Sequence, residues 1–114
     1  MSASGVQAEQ QAEQFLLRHG LRLVQRNYRC RYGEIDLVMQ DGPTLVFAEV
    51  RLRQRDDFGG AGASINAAKQ HKLVHTAQHY LATLSHIPPC RFDAVLLRAQ
   101  DGSDIIWIRD AFGT

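Results

Sequence analysis

Residues 33–53 read GEIDLVMQDGPTLVFAEVRLR, in which two apolar runs flank the turn-forming residues at 41–44. Gly and Pro supply the backbone angles that tight turns need, so strand-like runs on both sides of them predict a β-hairpin. With residues 41–44 as the loop, Gln40 pairs with Leu45 and the rest of the register follows residue by residue. This register fixes which side chains of the two strands face each other.

The predicted register sorts the hairpin side chains onto two faces. One face places Asp36 opposite Glu49 and Glu34 opposite Arg51. A shift by one residue would mix polar with apolar side chains, which favours this register over its neighbours. The other face carries three apolar pairs: Ile35 with Val50, Leu37 with Ala48, and Met39 with Val46.

The opposed carboxylates of Asp36 and Glu49 predict a cation site. Directly opposed side chains in an antiparallel pair have Cβ atoms roughly 4.5–5.5 Å apart, where like charges are destabilising. Such a pair requires a cation between the two carboxylates or a raised pKa. A divalent metal ion is the simplest candidate.

Length and composition favour one soluble domain over residues 1–114, with flexible tails at 1–5 and 111–114. The chain is 45% hydrophobic and 22% charged, as in ordinary globular proteins. No apolar run approaches the ~20 residues that cross a bilayer, and the N-terminus lacks the pattern of a signal peptide. Cys30 and Cys90 have no metal-ligand spacing, so reduced thiols in a cytoplasmic protein without a membrane partner are expected.

Basic residues cluster around the hairpin although the net charge is only +1. The stretch from His19 to Gly33 contains four arginines and no acid. A basic surface around an acidic centre suits a phosphodiester substrate, and simple solvation of these side chains is the alternative. The candidate nucleic-acid contacts are Arg29, Arg31, Arg53 and Lys72.

The remaining chain is predicted to add two helices and three strands. The first helix spans 6–19, with Glu9 at the margin of its apolar stripe and Glu13 pointing toward solvent. The second helix runs from the N-cap Ser64 to about Leu84, with Lys69 near the edge of its apolar stripe. The predicted strands outside the hairpin are 21–28, 91–98 and 104–109. The order α-β-β-β-α-β-β indicates an α/β fold, with a mixed sheet flanked by helices.

The pattern D-x(12)-E-x-R, from Asp36 to Arg51, resembles the PD-(D/E)xK nuclease superfamily of restriction-endonuclease-like fold. Further motifs resemble the YraN family of small bacterial proteins, whose members are similar to Holliday-junction resolvases. These motifs are AExxA at 8–12, RNYR at 26–29, GEIDL at 33–37, LVFxEV at 45–50, FGG at 58–60, AAK at 67–69 and RFD at 91–93.

This resemblance implies a three-layer domain that acts as a metal-dependent endonuclease on DNA, with branched or structured DNA as candidate substrates. It assigns Mg²⁺ or Mn²⁺ to Asp36 and Glu49, which are also catalytic residues. Arg51 stands where the family pattern has lysine, and arginine cannot act as a base, although it can clamp a phosphate. Lys69 on the neighbouring helix is the predicted substitute for that lysine.

Other acids and histidines have two interpretations each. Glu34 is either a further metal ligand or an ion-pair partner of Arg51, and Glu9 is either a ligand or a solvated helix carboxylate. Asp93 is either a residue near the hairpin or, as the favoured interpretation, an exposed or capping carboxylate. The spacing of three histidines along the second helix suggests zinc, but they lie opposite the apolar stripe, which favours a surface that faces solvent or DNA. These histidines are His71, His75 and His79.

Two other functions stay open on the sequence alone. Arg51 is compatible with a nucleic-acid-binding module that has lost catalysis, and the fold is compatible with a protein-interaction scaffold. Symmetric cleavage of a DNA junction would require a homodimer, which nothing in the sequence specifies.

Overall fold

A five-stranded mixed sheet lies between two helices in the computed structural model, which describes residues 3–52, 65–99 and 103–112. The element order α-β-β-β-α-β-β agrees with the prediction. Neither described helix has the length and apolarity that a membrane span requires. The elements are α1 (Ala3–Arg18), β1 (Arg22–Cys30), β2 (Gly33–Asp41), β3 (Thr44–Leu52), α2 (Ala67–Leu81), β4 (Cys90–Leu97) and β5 (Ile105–Phe112).

The strands lie in the sheet in chain order, from β1 to β5. Strands β3 and β4 are parallel, and the other neighbouring pairs are antiparallel. A parallel pair needs a crossover connection, and α2 lies in the segment between β3 and β4. This arrangement is the three-layer, restriction-endonuclease-like α/β fold that the sequence predicts.

Each face of the sheet buries its own apolar core against one helix. The α1 core includes Ala12 and Leu16 of the helix together with Leu37 and Met39 of β2. The α2 core includes Leu73, Ala77 and Tyr80 of the helix, packed against Phe47 and Phe92 of the sheet. Side chains alternate between the faces of a strand, so a strand with helices on both sides is apolar along most of its length.

The central hairpin has the predicted register. Its pairs include Gln40 with Leu45, and the turn is closed by one further pair, Asp41 with Thr44. Gly42 in the turn has φ +57°, a left-handed conformation that glycine adopts at low cost.

The predicted apolar face of the hairpin is wrong at one position. Ile35 was expected beside Leu37 and Met39, but it packs in the α2 core, whereas those two residues lie in the α1 core. The alternation of β2 is therefore interrupted between Ile35 and Leu37. The break in this alternation falls at Asp36.

The ends of several elements differ from the sequence prediction. Helix α1 already begins at Ala3, and β5 continues to Phe112, which stacks on Phe92 at a ring distance of 4.8 Å. Residues 3–5 thus lie within α1, and residues 111–112 lie within β5. Helix α2 is capped by Asn66, whose side chain accepts from the N–H of Lys69, and the predicted cap Ser64 lies outside the described residues.

Candidate active site

The two opposed carboxylates lie where β2 and β3 separate. Paired residues extend from the turn as far as Leu37 and Ala48, and beyond them the N–H of Val50 donates to Oδ2 of Asp36 at 2.8 Å. The carboxyl of Asp36 also lies close enough to the carboxyl of Glu49 for the two to interact. Both residues are buried, with 9% and 4% of their surface exposed. The hairpin brings together the two acids that its register predicts to face each other.

The surroundings of Asp36 favour its neutral form. Burial, together with the side-chain interaction and the charge of Glu49, raises the pKa of Asp36 to about 9, although the N–H of Val50 acts in the opposite direction. The charge of Glu9 contributes to the same rise. Two buried carboxylates in contact do not both ionise readily, so the pair retains a proton near neutral pH unless a cation binds.

Two further carboxylates reach the same place. Oxygen atoms of Glu9, Glu34 and Asp36 all lie within 4.8 Å of one another, close enough for a single metal ion to contact all three. Glu9 comes from α1, Glu34 and Asp36 from β2, and Glu49, which lies beside Asp36, from β3. All four predicted metal ligands are thus neighbours, and three separate elements supply them.

Asn27, a β1 residue in a left-handed backbone conformation, orients Glu9. Asn27 has φ +51°, and the register of β1 with β2 places it opposite Asp36. Its side-chain amide donates to Oε1 of Glu9 at 2.8 Å. Asn27 had no predicted role, although this residue is part of the RNYR motif.

The prediction that Glu13 points toward solvent is wrong. Glu13 is only 8% exposed, and Arg26 of β1 donates to its two oxygens from Nε at 2.6 Å and from Nη2 at 2.9 Å. This hydrogen bonding and the charge of Glu13 raise the pKa of Arg26. The apolar pattern of α1 could not reveal a cation that β1 contributes. The ion pair anchors α1 one turn after Glu9.

Glu34 and Arg51 do not form the ion pair that the hairpin register allows. Glu34 instead forms an ion pair with Nε of Arg29, which is its partner in the register of β1 with β2. Arg29, a predicted nucleic-acid contact, therefore lies at the rim of the carboxylate cluster, with 64% of its side chain exposed.

Glu49 lies between two cations but lacks a well-formed hydrogen bond at one oxygen. Its Oε2 is 3.1 Å from Nζ of Lys69 and 3.3 Å from Nη2 of Arg51. Neither contact has the angles of a hydrogen bond, and among the described residues this buried oxygen has no hydrogen-bond partner, like Nε of Arg51. The two cations balance the charge of this oxygen, and a buried oxygen without a hydrogen bond suits a metal ion or a donor group of a substrate.

A close approach at Gly33 joins the β1–β2 turn to α2. Gly33 has φ +150°, and a Cβ atom there would lie 3.2 Å from Oγ1 of Thr76. Only a residue without a side chain fits this contact comfortably. The approach sets Glu34, the next residue, beside the helix that carries Lys69.

The other predicted nucleic-acid contacts lie around this turn, as far as the structure describes them. The side-chain nitrogen Nη2 of Arg31 donates to the hydroxyl of Tyr32 at 2.9 Å, and Lys72 is exposed on α2. Arg53 lies outside the described residues. The histidines His71, His75 and His79 are exposed, and the cluster of potential metal ligands in the described ranges contains none of them.

The prediction for Asp93 is wrong, because this residue is buried in the sheet with 1% exposure. Its Oδ1 accepts from Nε of Arg91 at 3.0 Å and from the N–H of Asp110 at 2.9 Å, and its Oδ2 accepts from the indole of Trp107 at 2.9 Å. Arg91 also contacts Asp41 at 2.9 Å. These partners come from β5 and from the same face of β4, which a single strand sequence does not reveal.

Comparison with known proteins identifies the family of the chain. The sequence model of the uncharacterised protein family UPF0102 matches residues 8–97. The chain belongs to this family. A UPF0102 protein of Nitrosospira multiformis is 62% identical over 108 residues, covering 95% of this chain and 91% of that protein.

Two further UPF0102 relatives are nearly as similar. A protein of Methylobacillus flagellatus is 54% identical, and the aligned region covers 98% of both chains. One of Psychromonas ingrahamii is 52% identical over 97% of this chain and 90% of its own length. The predicted membership of the YraN family, another name for UPF0102, is confirmed. The matched region contains all four carboxylates of the site and Lys69.

A cavity of about 540 Å³ opens beside the carboxylates of this UPF0102 protein. It lies between α1 and the first strands, and its walls include Glu9, Glu13, Arg26 and Asn27. Because Glu9 belongs both to this wall and to the carboxylate cluster, the cavity gives the site access from the α1 side of the sheet.

Proposed function

We propose that this protein is a metal-dependent nuclease that hydrolyses phosphodiester bonds in DNA. The observation that carries the proposal is the meeting of four carboxylates around Asp36, with Lys69 in contact with one of them. Carboxylates that are buried together and share a proton favour a cation, and a nearby lysine suits the charge of a phosphate.

Asp36 and Glu49 would hold Mg²⁺ or Mn²⁺, with Glu34 and Glu9 as further ligands, directly or through water. These ions prefer oxygen ligands and need few carboxylates. When bound, such an ion lowers the pKa of water and offsets the negative charge of a phosphate. Asp36 must release its proton to serve as a ligand, so metal affinity should rise with pH.

Lys69 and Arg51 have different tasks in this proposal. Nζ of Lys69 lies 3.1 Å from Oε2 of Glu49 on a side chain that is 36% exposed, where it can hold a water molecule or a phosphate oxygen. Arg51 keeps its proton under all relevant conditions, so its contribution is to bind and orient the phosphate. The lysine of the family pattern is thus replaced by two cations from β3 and α2.

DNA is the proposed substrate because basic side chains surround the acidic centre. Arg29 contacts Glu34 at the rim, and Lys72 lies three residues after Lys69 on α2. Positive charge around a site attracts the phosphate backbone and makes binding sensitive to salt. The resemblance to Holliday-junction resolvases makes branched DNA the first substrate to test. Symmetric cutting of a junction would need a homodimer.

Cleavage assays test the proposal directly. Labelled four-way junctions and linear duplexes are incubated with the protein and Mg²⁺ or Mn²⁺, and products are resolved on denaturing gels. Glu49→Gln should lower the cleavage rate by roughly 100-fold or more, since it removes a charge from the metal site. Asp104→Asn is the matched control, because Asp104 pairs with Arg98 in an ion pair between exposed side chains. No metal-dependent cleavage by the wild type, or equal rates for Glu49→Gln, would refute the nuclease.

A DNA-binding module without catalysis is the second candidate, and the identity of residue 51 favours it. An arginine beside Glu49 neutralises that carboxylate and binds phosphate, but it does not accept protons. In this case DNA binding should weaken steeply with salt while no metal produces cleavage. If the protein neither binds nor cleaves DNA, the interaction scaffold is the remaining candidate function.

A further inference from the structure

A second cavity lies on the opposite side of the β1–β2 turn from the first, against α2. Its volume is about 350 Å³, and Tyr32, His75, Gln78 and His79 line it. We call these four residues the Tyr32 pocket. The pocket contains three rings and one amide, and none of its lining residues is acidic.

The rings of the Tyr32 pocket contact one another but leave surface exposed. The ring of Tyr32 lies 5.6 Å from that of His75 and 6.3 Å from that of His79, both edge to face. Tyr32 keeps 38% of its surface exposed. An exposed aromatic side chain beside other rings offers a flat apolar face to a flat ligand.

Neighbouring residues hold these rings in place. The hydroxyl of Tyr28 and Nδ1 of His79 share a hydrogen bond of 2.5 Å. The guanidinium of Arg31 lies 4.9 Å from the centre of the Tyr32 ring and donates to its hydroxyl at 2.9 Å. These contacts restrict the rings before any ligand binds, which lowers the entropy lost on binding.

The Tyr32 pocket is connected to the carboxylate cluster by the β1–β2 turn. Tyr32 precedes Gly33, which touches α2 at Thr76, and Glu34 of the cluster follows directly. On α2, Lys69 contacts Glu49, while Lys72 near Gly33 lies between Lys69 and the pocket residue His75. Lys69 and Lys72 therefore place two positive side chains on α2 between the carboxylates and the rings.

We propose that the Tyr32 pocket binds an unpaired nucleobase of the DNA substrate, next to the phosphate that lies at the carboxylate cluster. This inference rests on the proposed function and names the kind of DNA that the site prefers. The rings stack on the base, the amide of Gln78 hydrogen-bonds its edge, and Lys72 contacts the connecting phosphate.

An unpaired base fits this pocket better than a base pair does. Bases in a duplex stack on their neighbours, so their faces are not available to a protein pocket, and turning one out costs free energy. That cost is least at bulges, mismatches and branch points. The pocket would thereby direct the protein to DNA that contains such irregularities.

Binding measured without metal separates this proposal from the proposed function. Fluorescence anisotropy in EDTA compares a fully paired duplex with the same duplex carrying one unpaired base. Tyr32→Ala should weaken binding of the bulged DNA roughly 5- to 100-fold, because a stacked base is lost, and should change binding of the paired duplex by less than about twofold. Tyr32→Phe keeps the ring and should retain the preference for the bulge.

Two further variants control for damage to the fold. His71→Ala removes an exposed histidine of α2 outside the pocket and should bind both DNAs like the wild type. Gln78→Ala removes an exposed pocket residue without touching the rings, and should weaken only bulged DNA. If the wild type does not prefer the bulge, or if Tyr32→Ala and Gln78→Ala weaken both DNAs equally, the pocket proposal is wrong. If Tyr32→Ala still cleaves the fully paired duplex in a metal-dependent way, that result supports the proposed nuclease function even though the pocket proposal fails.

Discussion

Asp36 and Asp93 are both buried aspartates of the same sheet, but their surroundings differ. Asp93 is the more deeply buried of the two, at 1% exposure against 9%. Arg91, the Trp107 indole and the Asp110 N–H donate to its two oxygens. Asp36 receives one backbone N–H and otherwise faces the carboxyl of Glu49; burial, with this carboxyl as the second cause, raises the pKa of Asp36 to about 9.

Burial alone therefore does not mark a functional acid. A buried carboxylate that accepts hydrogen bonds from a cation and several other donors has its polar atoms satisfied, and its role is to hold strands together. A carboxylate that is buried against other carboxylates lacks that compensation and favours an incoming cation. Asp36 therefore belongs to a site, whereas Asp93 belongs to the framework.

The largest expected effect is on stability at Asp93. Asp93→Ala leaves Arg91 and the Trp107 indole without their buried acceptor, and it should lower the free energy of unfolding by about 3–5 kcal/mol. Asp36→Ala should lower it much less in the metal-free protein, because this change relieves repulsion with Glu49. Urea denaturation of both variants measures the difference, and equal losses would contradict the distinction between site and framework.

The pH dependence of stability should report on Asp36. The pKa of Asp36 is raised in the folded protein from 3.8 to about 9, so between these values the folded state holds a proton that the unfolded state has lost. Metal-free stability should therefore fall as pH rises, by up to about 1.4 kcal/mol per pH unit from this group. Urea denaturation at pH 6 and pH 8 should show this fall in the wild type and a smaller one in Asp36→Asn. An identical fall in both would contradict the assignment to Asp36.

Arg91, the cation beside Asp93, and Lys69, the cation beside Glu49, should differ in the same sense, with smaller effects on stability. Burial lowers the pKa of Arg91, but hydrogen bonds and charge from Asp93 and Asp41 raise it overall. Arg91→Ala should mainly lower stability. Lys69→Ala should leave the melting temperature nearly unchanged and lower cleavage roughly 100- to 10,000-fold, the range of a group that assists proton transfer.

The residue at position 51 provides a check on Lys69. Arg51→Lys restores the residue type of the family pattern and should increase cleavage severalfold if arginine limits the reaction. Cleavage rates of both variants are measured on the same DNA. Activation by Arg51→Lys together with unchanged cleavage by Lys69→Ala would show that Lys69 is not the substitute.

The sequence predicted the central hairpin and its acids because these depend on local patterns. Turn residues fix the loop, alternation fixes the register, and the register sets Asp36 beside Glu49. The order of elements followed from the same patterns. Glu9 was a candidate ligand because of its helix motif, and the structure brings it to Asp36.

What the sequence could not predict depends on partners from other elements. The acids Glu13 and Asp93 look like surface residues on their own helix or strand, but Arg26 and Trp107 come to them from neighbouring strands. The position of Ile35 in the α2 core could not be predicted either, since the alternation of β2 breaks at Asp36. Such contacts arise only when the sheet is assembled.

Metal binding to the wild type and to Asp36→Ala tests the central claim most directly. Differential scanning calorimetry with and without Mn²⁺ or Mg²⁺ measures it, with Asp104→Asn as the control. A ligand present at 100 times its dissociation constant stabilises the folded state by about 2.7 kcal/mol, so the melting temperature of the wild type and the control should rise by several degrees. That of Asp36→Ala should not move. Equal rises in the wild type and Asp36→Ala, or no rise in either, would contradict a metal site at Asp36.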